Sequence, residues 1–327
     1  MLKQRSTLVV SILLPVFLVP ALSFAQSQID ANQEFGTTPW GHPDLQGVWD
    51  RRTITPLERP QRFADKTFLT PEEIIAYERQ SAARDDGRPL DSERSGISVH
   101  DPADLDYGST VLATGQTSLI VDPPNGRIPE YTQAAGERAA AAAKLREGRG
   151  PADSWTDRSL TERCITWGMP QGMLPQPYNN NVQIIQTPNE VMILNEMVHD
   201  VRIIPIDGRP HIPANITQWH GDPRGHWEGD TLVIESTNFS EKISFRRSNT
   251  NLHLEERFTR VAEDALQYQF TVSDDSTWER PWTVSFPMVK GNAPIYEFAC
   301  HEGNYGLLNI LTVARNLEKQ QKEQVKD

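Results

Sequence analysis

The sequence predicts a mainly β protein, built as an antiparallel β-barrel or a two-sheet sandwich, and three observations support this prediction. Short apolar segments follow one another from residue 182 to residue 299, and turn sequences separate them. No helical pattern is interleaved with these segments, which favours antiparallel pairing over βαβ units. Several segments alternate polar and apolar residues, as in residues 267–272 (QYQFTV), which is typical of strands with one buried face.

The first 25 residues have the pattern of a secretory signal peptide. Lys3 and Arg5 precede an apolar stretch, and residues 23–25 (SFA) supply the small residues of a cleavage site. An uncleaved membrane anchor is the alternative, but Pro15 and Pro20 interrupt the apolar stretch and favour cleavage. We therefore expect a periplasmic or secreted protein with no membrane span after cleavage.

The charge of the chain is strongly acidic. The sequence has 32 Lys and Arg residues against 44 Asp and Glu residues, and removal of Lys3 and Arg5 with the leader leaves 30 against 44, a net charge of −14. A surface of this sign repels phosphate backbones, so nucleic acid is not an expected partner. The expected partner is a small-molecule ligand or substrate.

The chain contains two cysteines, Cys164 and Cys300. In an oxidising compartment such a pair predicts a disulfide bond, and two separate buried thiols are the alternative. A catalytic thiol is disfavoured, because free thiolates are easily oxidised outside the cytoplasm.

Two helices are predicted outside the strand series. Thr70 caps a helix over residues 71–83 that starts with Pro71, and an Ala-rich segment predicts a second helix over residues 133–146. Residues 84–107 are predicted to form a surface loop.

The N-terminal segment is rich in prolines and charges and has few periodic apolar positions. We therefore expect it to wrap around the barrel rather than to form a core of its own. The chain divides into a signal peptide, an irregular wrapping segment, a barrel domain and a charged tail, at residues 1–25, 26–115, 116–313 and 314–327.

A closed barrel is favoured over a sandwich because it protects the edges of many consecutive hairpins. Gly47 and Trp49 form a Gly-x-Trp sequence that resembles the start of the first strand in lipocalin-like (calycin) barrels. About 130 residues separate it from the main strand series, which departs from the lipocalin pattern.

Three further stretches, residues 43–49 (PDLQGVW), 225–233 (GHWEGDTLV) and 299–306 (ACHEGNYG), carry a second resemblance. As a set, they are similar to a family of uncharacterised exported bacterial β-rich proteins. The resemblance implies export and a β-rich architecture, and it assigns no catalytic residue.

The strand at residues 253–257 carries the first candidate site. Alternation places His253, Glu255 and Arg257 on one face, and Glu256 among apolar neighbours on the other. Such residues can supply a base, its partner acid and a donor for an oxyanion. We assign His253 as the base, Glu256 or Glu255 as the acid and Arg257 as the donor; a solvated strand face is the alternative.

His199 is the reserve base. Alternation along a strand places His199 on one face, and Asp200 and Arg202 on the other, where the two are expected to form an ion pair. A strand-end histidine bonded to a backbone carbonyl is the simpler alternative.

A metal site is considered for three histidines, His211, His220 and His226, with Asp222 and Glu228 between them. Imidazole and carboxylate groups suit zinc, copper or iron. Their spacing fits no established metal signature, and a turn-rich loop explains it more simply. No metal and no other cofactor is therefore expected.

Aromatic side chains in the β-rich body supply mostly core, but those on an inward face can line a ligand pocket. The turn that follows Cys300 adds two more candidates, held rigidly if that cysteine is bridged. The predicted ligand-binding residues are Trp219, Trp227, Tyr268, Trp282, His301 and Tyr305.

Two functions are compatible with these residues. The first is an exported enzyme, an isomerase, lyase or hydrolase, that performs cofactor-independent acid–base chemistry in a barrel pocket. The alternative is a non-catalytic periplasmic binding protein for an apolar or aromatic ligand. The sequence has no Gly-x-Ser-x-Gly elbow, no phosphate-binding glycine loop and no dinucleotide fingerprint.

Overall fold

The computed structural model describes residues 36–85, 106 and 108–324. The predicted signal peptide and most of the predicted loop at residues 84–107 lie outside these ranges.

Ten strands make up one antiparallel sheet. Their bounds are β1 Gly47–Asp50, β2 Ile120–Asp122, β3 Asn181–Gln186, β4 Glu190–Asn195, β5 Val201–Pro205, β6 Asp222–Glu228, β7 Thr231–Thr237, β8 His253–Ala262, β9 Ala265–Ser273 and β10 Trp282–Lys290.

The sheet is nearly closed into a barrel. Nine strands follow the order β5-β4-β3-β1-β10-β9-β8-β7-β6, and β2 adds to β10 outside this path. The two end strands, β5 and β6, lie next to each other. The predicted class, a mainly β protein with an antiparallel barrel, is confirmed.

The inward face of the barrel is a packed aromatic core. In β9 and β10 every second residue is fully buried, as Tyr268 and Phe286 illustrate, because alternation turns these side chains to one side of the sheet. The Tyr268 ring lies 4.8 Å from that of Phe258 and 5.5 Å from that of Phe286. These rings form one packed cluster on the inward face of the sheet.

The short strand β1 belongs to the barrel wall, although it precedes the predicted barrel domain at residues 116–313. It pairs with β3 on one side and with β10 on the other. Trp49 is fully buried, and its Nε1 donates a hydrogen bond to the Leu45 carbonyl at 2.9 Å. The Gly-x-Trp sequence thus marks a true strand whose partners come from distant parts of the chain.

The described residues contain three α-helices, α1 Pro71–Asp85, α2 Gln133–Leu145 and α3 Tyr305–Gln324. The predictions of α1 and α2 are confirmed. A capping box starts α1, because Glu73 Oε2 accepts a hydrogen bond from Thr70 N while Thr70 Oγ1 accepts one from Glu73 N. Within the described residues, no helix is both long and apolar enough to cross a bilayer.

The predicted disulfide between Cys164 and Cys300 is confirmed. It joins residues 136 positions apart, with the Cα atoms 5.6 Å from each other. One cysteine lies in the loop before β3 and the other in the turn before α3. The bond therefore ties the C-terminal helix to the loop that leads into the barrel.

The barrel closes where β6 approaches β5. Gly225 of β6 faces Ile204 and Ile206, and a Cβ atom at this position would lie 3.0 Å and 2.8 Å from their Cγ2 atoms. Only a glycine allows this approach without displacing the two isoleucine side chains.

We expect loss of the disulfide to lower the free energy of unfolding. The double variant Cys164→Ser, Cys300→Ser should lose up to roughly 5 kcal/mol, because the long closed loop restricts the unfolded chain. Denaturant unfolding with and without reductant measures the difference. Reductant should not affect the double variant, and two free thiols in the native, untreated protein would contradict the bond.

Candidate functional site

A polar network crosses the interior of the barrel. Arg202 of β5 donates two hydrogen bonds to Glu256 of β8, from Nη1 to Oε2 at 2.5 Å and from Nη2 to Oε1 at 3.0 Å. The Tyr268 hydroxyl donates to the same Oε1 at 2.8 Å. All three side chains are almost completely buried. The network leaves Arg202 and Glu256 paired in the interior of the barrel.

Burial sets the ionisation of this network. The pKa of Tyr268 is raised well above its usual value, mainly because burial disfavours a phenolate and because Glu256 is close by. Burial acts to lower the pKa of Arg202, but the charge and hydrogen bonds of Glu256 outweigh it, so the pKa is raised. Tyr268 therefore remains a neutral hydrogen-bond donor, and Arg202 remains a cation.

A second guanidinium, that of Arg51, lies in the same interior. Arg51 follows β1 and shares the inward face of Trp49. Its Nη1 donates to Asn195 Oδ1 at 3.2 Å, and burial lowers its pKa to about 10. The group thus remains charged at neutral pH, although burial weakens its charged form.

The ion pair predicted between Asp200 and Arg202 is wrong. Residues 197–199 form a short 3-10 helix, and β5 begins only at Val201, so the strand alternation assumed for Asp200 does not apply. Arg202 turns inward to Glu256. Asp200 instead accepts hydrogen bonds from Thr166 and from the Trp167 backbone.

A half-buried cluster forms around Asp200. Its Oδ2 accepts a hydrogen bond from Thr166 Oγ1 at 2.8 Å and lies 3.4 Å from His220 Nε2. His220 Nε2 is also 2.8 Å from Thr166 Oγ1. A histidine positioned by a carboxylate and a hydroxyl is one arrangement that can support general acid–base chemistry.

A pocket of about 470 Å³ is formed by the segments at residues 217–219 and 240–250. It has one aromatic side chain, Trp219, which is 37% exposed, surrounded by hydroxyl, amide and charged groups. The lining residues are Thr217, Gln218, Trp219, Ser240, Glu241, Lys242 and Thr250.

The pocket residues neighbour the cluster residues along the chain. Trp219 directly precedes His220, and Lys242 directly precedes Ile243. Gly168, two residues after Thr166, packs against Ile243 so closely that a Cβ atom at Gly168 would overlap its Cδ1. We call Thr166, Asp200, His220 and the pocket residues together the rim site.

The three histidines considered for a metal bind separate carboxylates. His211 Nδ1 lies 2.9 Å from Asp222 Oδ2, and His226 Nε2 lies 3.3 Å from Glu228 Oε1, while His220 belongs to the rim site. Among the residues that the structure describes, no three His, Cys, Asp or Glu side chains are placed to hold a metal ion.

The faces predicted for residues 253–257 are confirmed. His253, Glu255 and Arg257 are partly exposed on the outward face, while Glu256 is fully buried on the inward face. Arg257 Nη2 donates to Glu228 Oε2 at 2.5 Å, and the described part of the chain offers His253 no hydrogen-bond partner. The predicted base, His253, therefore lies on the opposite side of the wall from Glu256 and on the same side as Glu255, the other predicted acid.

The reserve base, His199, lies outside the barrel interior. Its Nδ1 is 2.9 Å from the carbonyl oxygen of Phe298. This is the simpler alternative, a histidine bonded to a backbone carbonyl.

The six predicted ligand-binding residues lie in different parts of the structure and do not form one site. Trp219 lines the rim site, while Tyr268 and Trp282 are fully buried in the core. The Trp227 ring stacks on His42 at 5.1 Å. His301 and Tyr305 are exposed in the turn after the disulfide and at the start of α3.

Comparisons of the chain with protein-family models, with curated proteins and with solved structures found no match. The function of the site is therefore inferred from its own geometry.

Sequence reasoning missed Arg51, Asn195 and Thr166. A signal for Arg51 existed, because it stands two residues after Trp49 and so shares the inward face of the same strand. Asn195 had the weaker signal of ending the alternating segment at residues 191–195. Thr166 had none, since its role depends on loop contacts far apart in sequence.

Proposed function

We propose that this protein is an exported small-molecule-binding barrel whose ligand occupies the rim site. The single observation that carries the proposal is the pocket in which Trp219 stands among polar side chains. Its volume lies within the range typical of small-molecule sites. A predicted signal peptide and the disulfide support a periplasmic or secreted location, and the resemblance to exported bacterial β-rich proteins agrees with it.

The lining residues define the chemistry of the ligand. An exposed indole offers a flat apolar face that stacks on a ring, as aromatic platforms do for sugars and aromatic compounds. Thr217, Gln218 and Ser240 offer hydrogen bonds at the edge of such a ring, and Glu241 and Lys242 add charges of both signs. The ligand class that fits is a small ring compound with several polar substituents.

A second candidate function is an acid–base enzyme that acts on the same ligand. The observation that favours it is His220, which follows Trp219 in the chain and is held by Asp200 and Thr166. His220 takes the place of His253 and His199 as the proposed base. The contact at Nε2 leaves Nδ1 as the atom available for proton transfer, and isomerisation, elimination or hydrolysis are the reactions such a group performs.

We expect Trp219→Ala to weaken ligand binding tenfold or more, because the stacking face is removed. The ligand is first identified by mass spectrometry of small molecules that co-purify with the mature protein, and its affinity is then measured by calorimetry. Trp155→Ala is the matched control, since Trp155 is exposed but lies outside the pocket. Equal affinity of the Trp219→Ala variant and the native protein would disprove this site.

Replacement of the proposed base separates the two functions. If the protein is an enzyme, His220→Gln should reduce turnover of the bound compound at least a hundredfold, because general bases contribute about 10²–10⁴-fold. Binding by the Gln variant should remain within a few-fold of the native protein. Chromatography of the compound after incubation measures turnover. Equal turnover by both proteins would exclude His220 as the base, and no turnover by either leaves the protein as a binder.

A further inference from the structure

We infer that the barrel interior contains a second site, in which Arg51 binds a carboxylate group. This site goes beyond the proposed function, because Arg51 is not among the residues that line the rim site. The side chain is 1% exposed, and one hydrogen bond, from Nη1 to Asn195, accounts for part of its donor capacity. Its Nε and Nη2 atoms are buried and make no hydrogen bond within the described part of the chain.

The two unpaired nitrogens have a shared direction. In a guanidinium group, the Nε–H bond and one Nη2–H bond are parallel and lie on the same edge of the plane. This edge matches the two oxygens of a carboxylate, which accepts both hydrogen bonds at once. Two unpaired donors that point in different directions would not indicate a ligand class. Two parallel donors on one edge indicate a planar anion with two acceptor oxygens.

The same interior contains a second guanidinium group, that of Arg202, which is paired with a carboxylate. Arg202 donates two hydrogen bonds to the two oxygens of Glu256. Its remaining buried nitrogen, Nε, has no partner among the described residues. Glu256 thus pairs with two of the three Arg202 nitrogens, whereas no described residue brings a carboxylate to the Nε–Nη2 edge of Arg51.

The two carboxylates whose charges act on Arg51 do not take that place. Glu196 and Asp50 favour the charge of Arg51 through space. The oxygens of Glu196 accept hydrogen bonds from Asn181 and from the Tyr296 backbone. Those of Asp50 accept hydrogen bonds from Arg52. A buried cation with two free donors is costly, so an added carboxylate would bind strongly for its size.

The carboxylate can belong to a small free acid or to the head of a longer apolar acid. Both sources present the same two oxygens to Arg51. The test therefore uses formate, acetate and decanoate as probes, at constant ionic strength and with chloride as the reference anion.

The test measures the thermal midpoint of the full mature protein against probe concentration, and the line width of ¹³C-labelled formate or acetate in NMR spectra. The native protein should show a saturable rise in the midpoint, because a ligand that binds only the folded state stabilises it. Arg51→Met should abolish the rise and the line broadening. Arg127→Met, which removes an exposed guanidinium, should leave both unchanged.

Arg51→Lys keeps the charge but lacks the two-donor edge, so it should bind at least tenfold more weakly than the native protein. This variant decides the question if Arg51→Met fails to fold. Saturable binding of formate or acetate assigns a small free acid, and binding of decanoate alone assigns a longer apolar acid. Equal responses of the native protein and the Arg51 variants, or no response beyond that to chloride, would overturn the inference.

Discussion

One bidentate ion pair, Arg202 with Glu256, joins β5 to β8 through the middle of the barrel. β5 is an end strand of the sheet, and its neighbour β6 approaches it without continuing the ladder of paired strands. The pair therefore holds β5, which is paired with β4 on one edge only, from the inside of the barrel. The close packing of Gly225 against Ile204 and Ile206 depends on β5 lying where this pair holds it.

The pair also determines what else the interior can contain. Both oxygens of Glu256 accept hydrogen bonds from Arg202 or Tyr268. Arg51 is not one of the donors to this carboxylate. Removing one member of such a pair leaves a buried charge without a partner, which costs far more than an exposed ion pair contributes. The carboxylate proposed at Arg51 would pair with the two nitrogens that the described interior residues leave without a partner.

Much of the fold could be predicted because its signals are local. Alternation in residues 253–258 correctly placed Glu256 on the inward face, and a chain with two cysteines allows one intramolecular disulfide. The partners of these groups could not be predicted in the same way. Glu256 and Arg202 are 54 residues apart, and they meet only because β5 returns to the far side of a closed sheet. The rim site is harder to predict from the sequence, because Thr166, Asp200 and His220 come from three irregular segments without a periodic pattern. Asp200 was assigned to the wrong partner because the 3-10 turn at residues 197–199 interrupts the alternation.

A double-mutant cycle on the interior pair tests the central claim most directly. Arg202→Met and Glu256→Met are measured singly and together by denaturant unfolding, with hydrogen exchange of the β5 amides as a second readout. Each single variant should lose roughly 3–5 kcal/mol and show faster exchange in β5, and the double variant should lose much less than the sum. The exposed pair Arg280 and Asp122 is the control, with an expected coupling below about 1 kcal/mol. Additive losses in the interior pair, with unchanged exchange in β5, would contradict the role given to it.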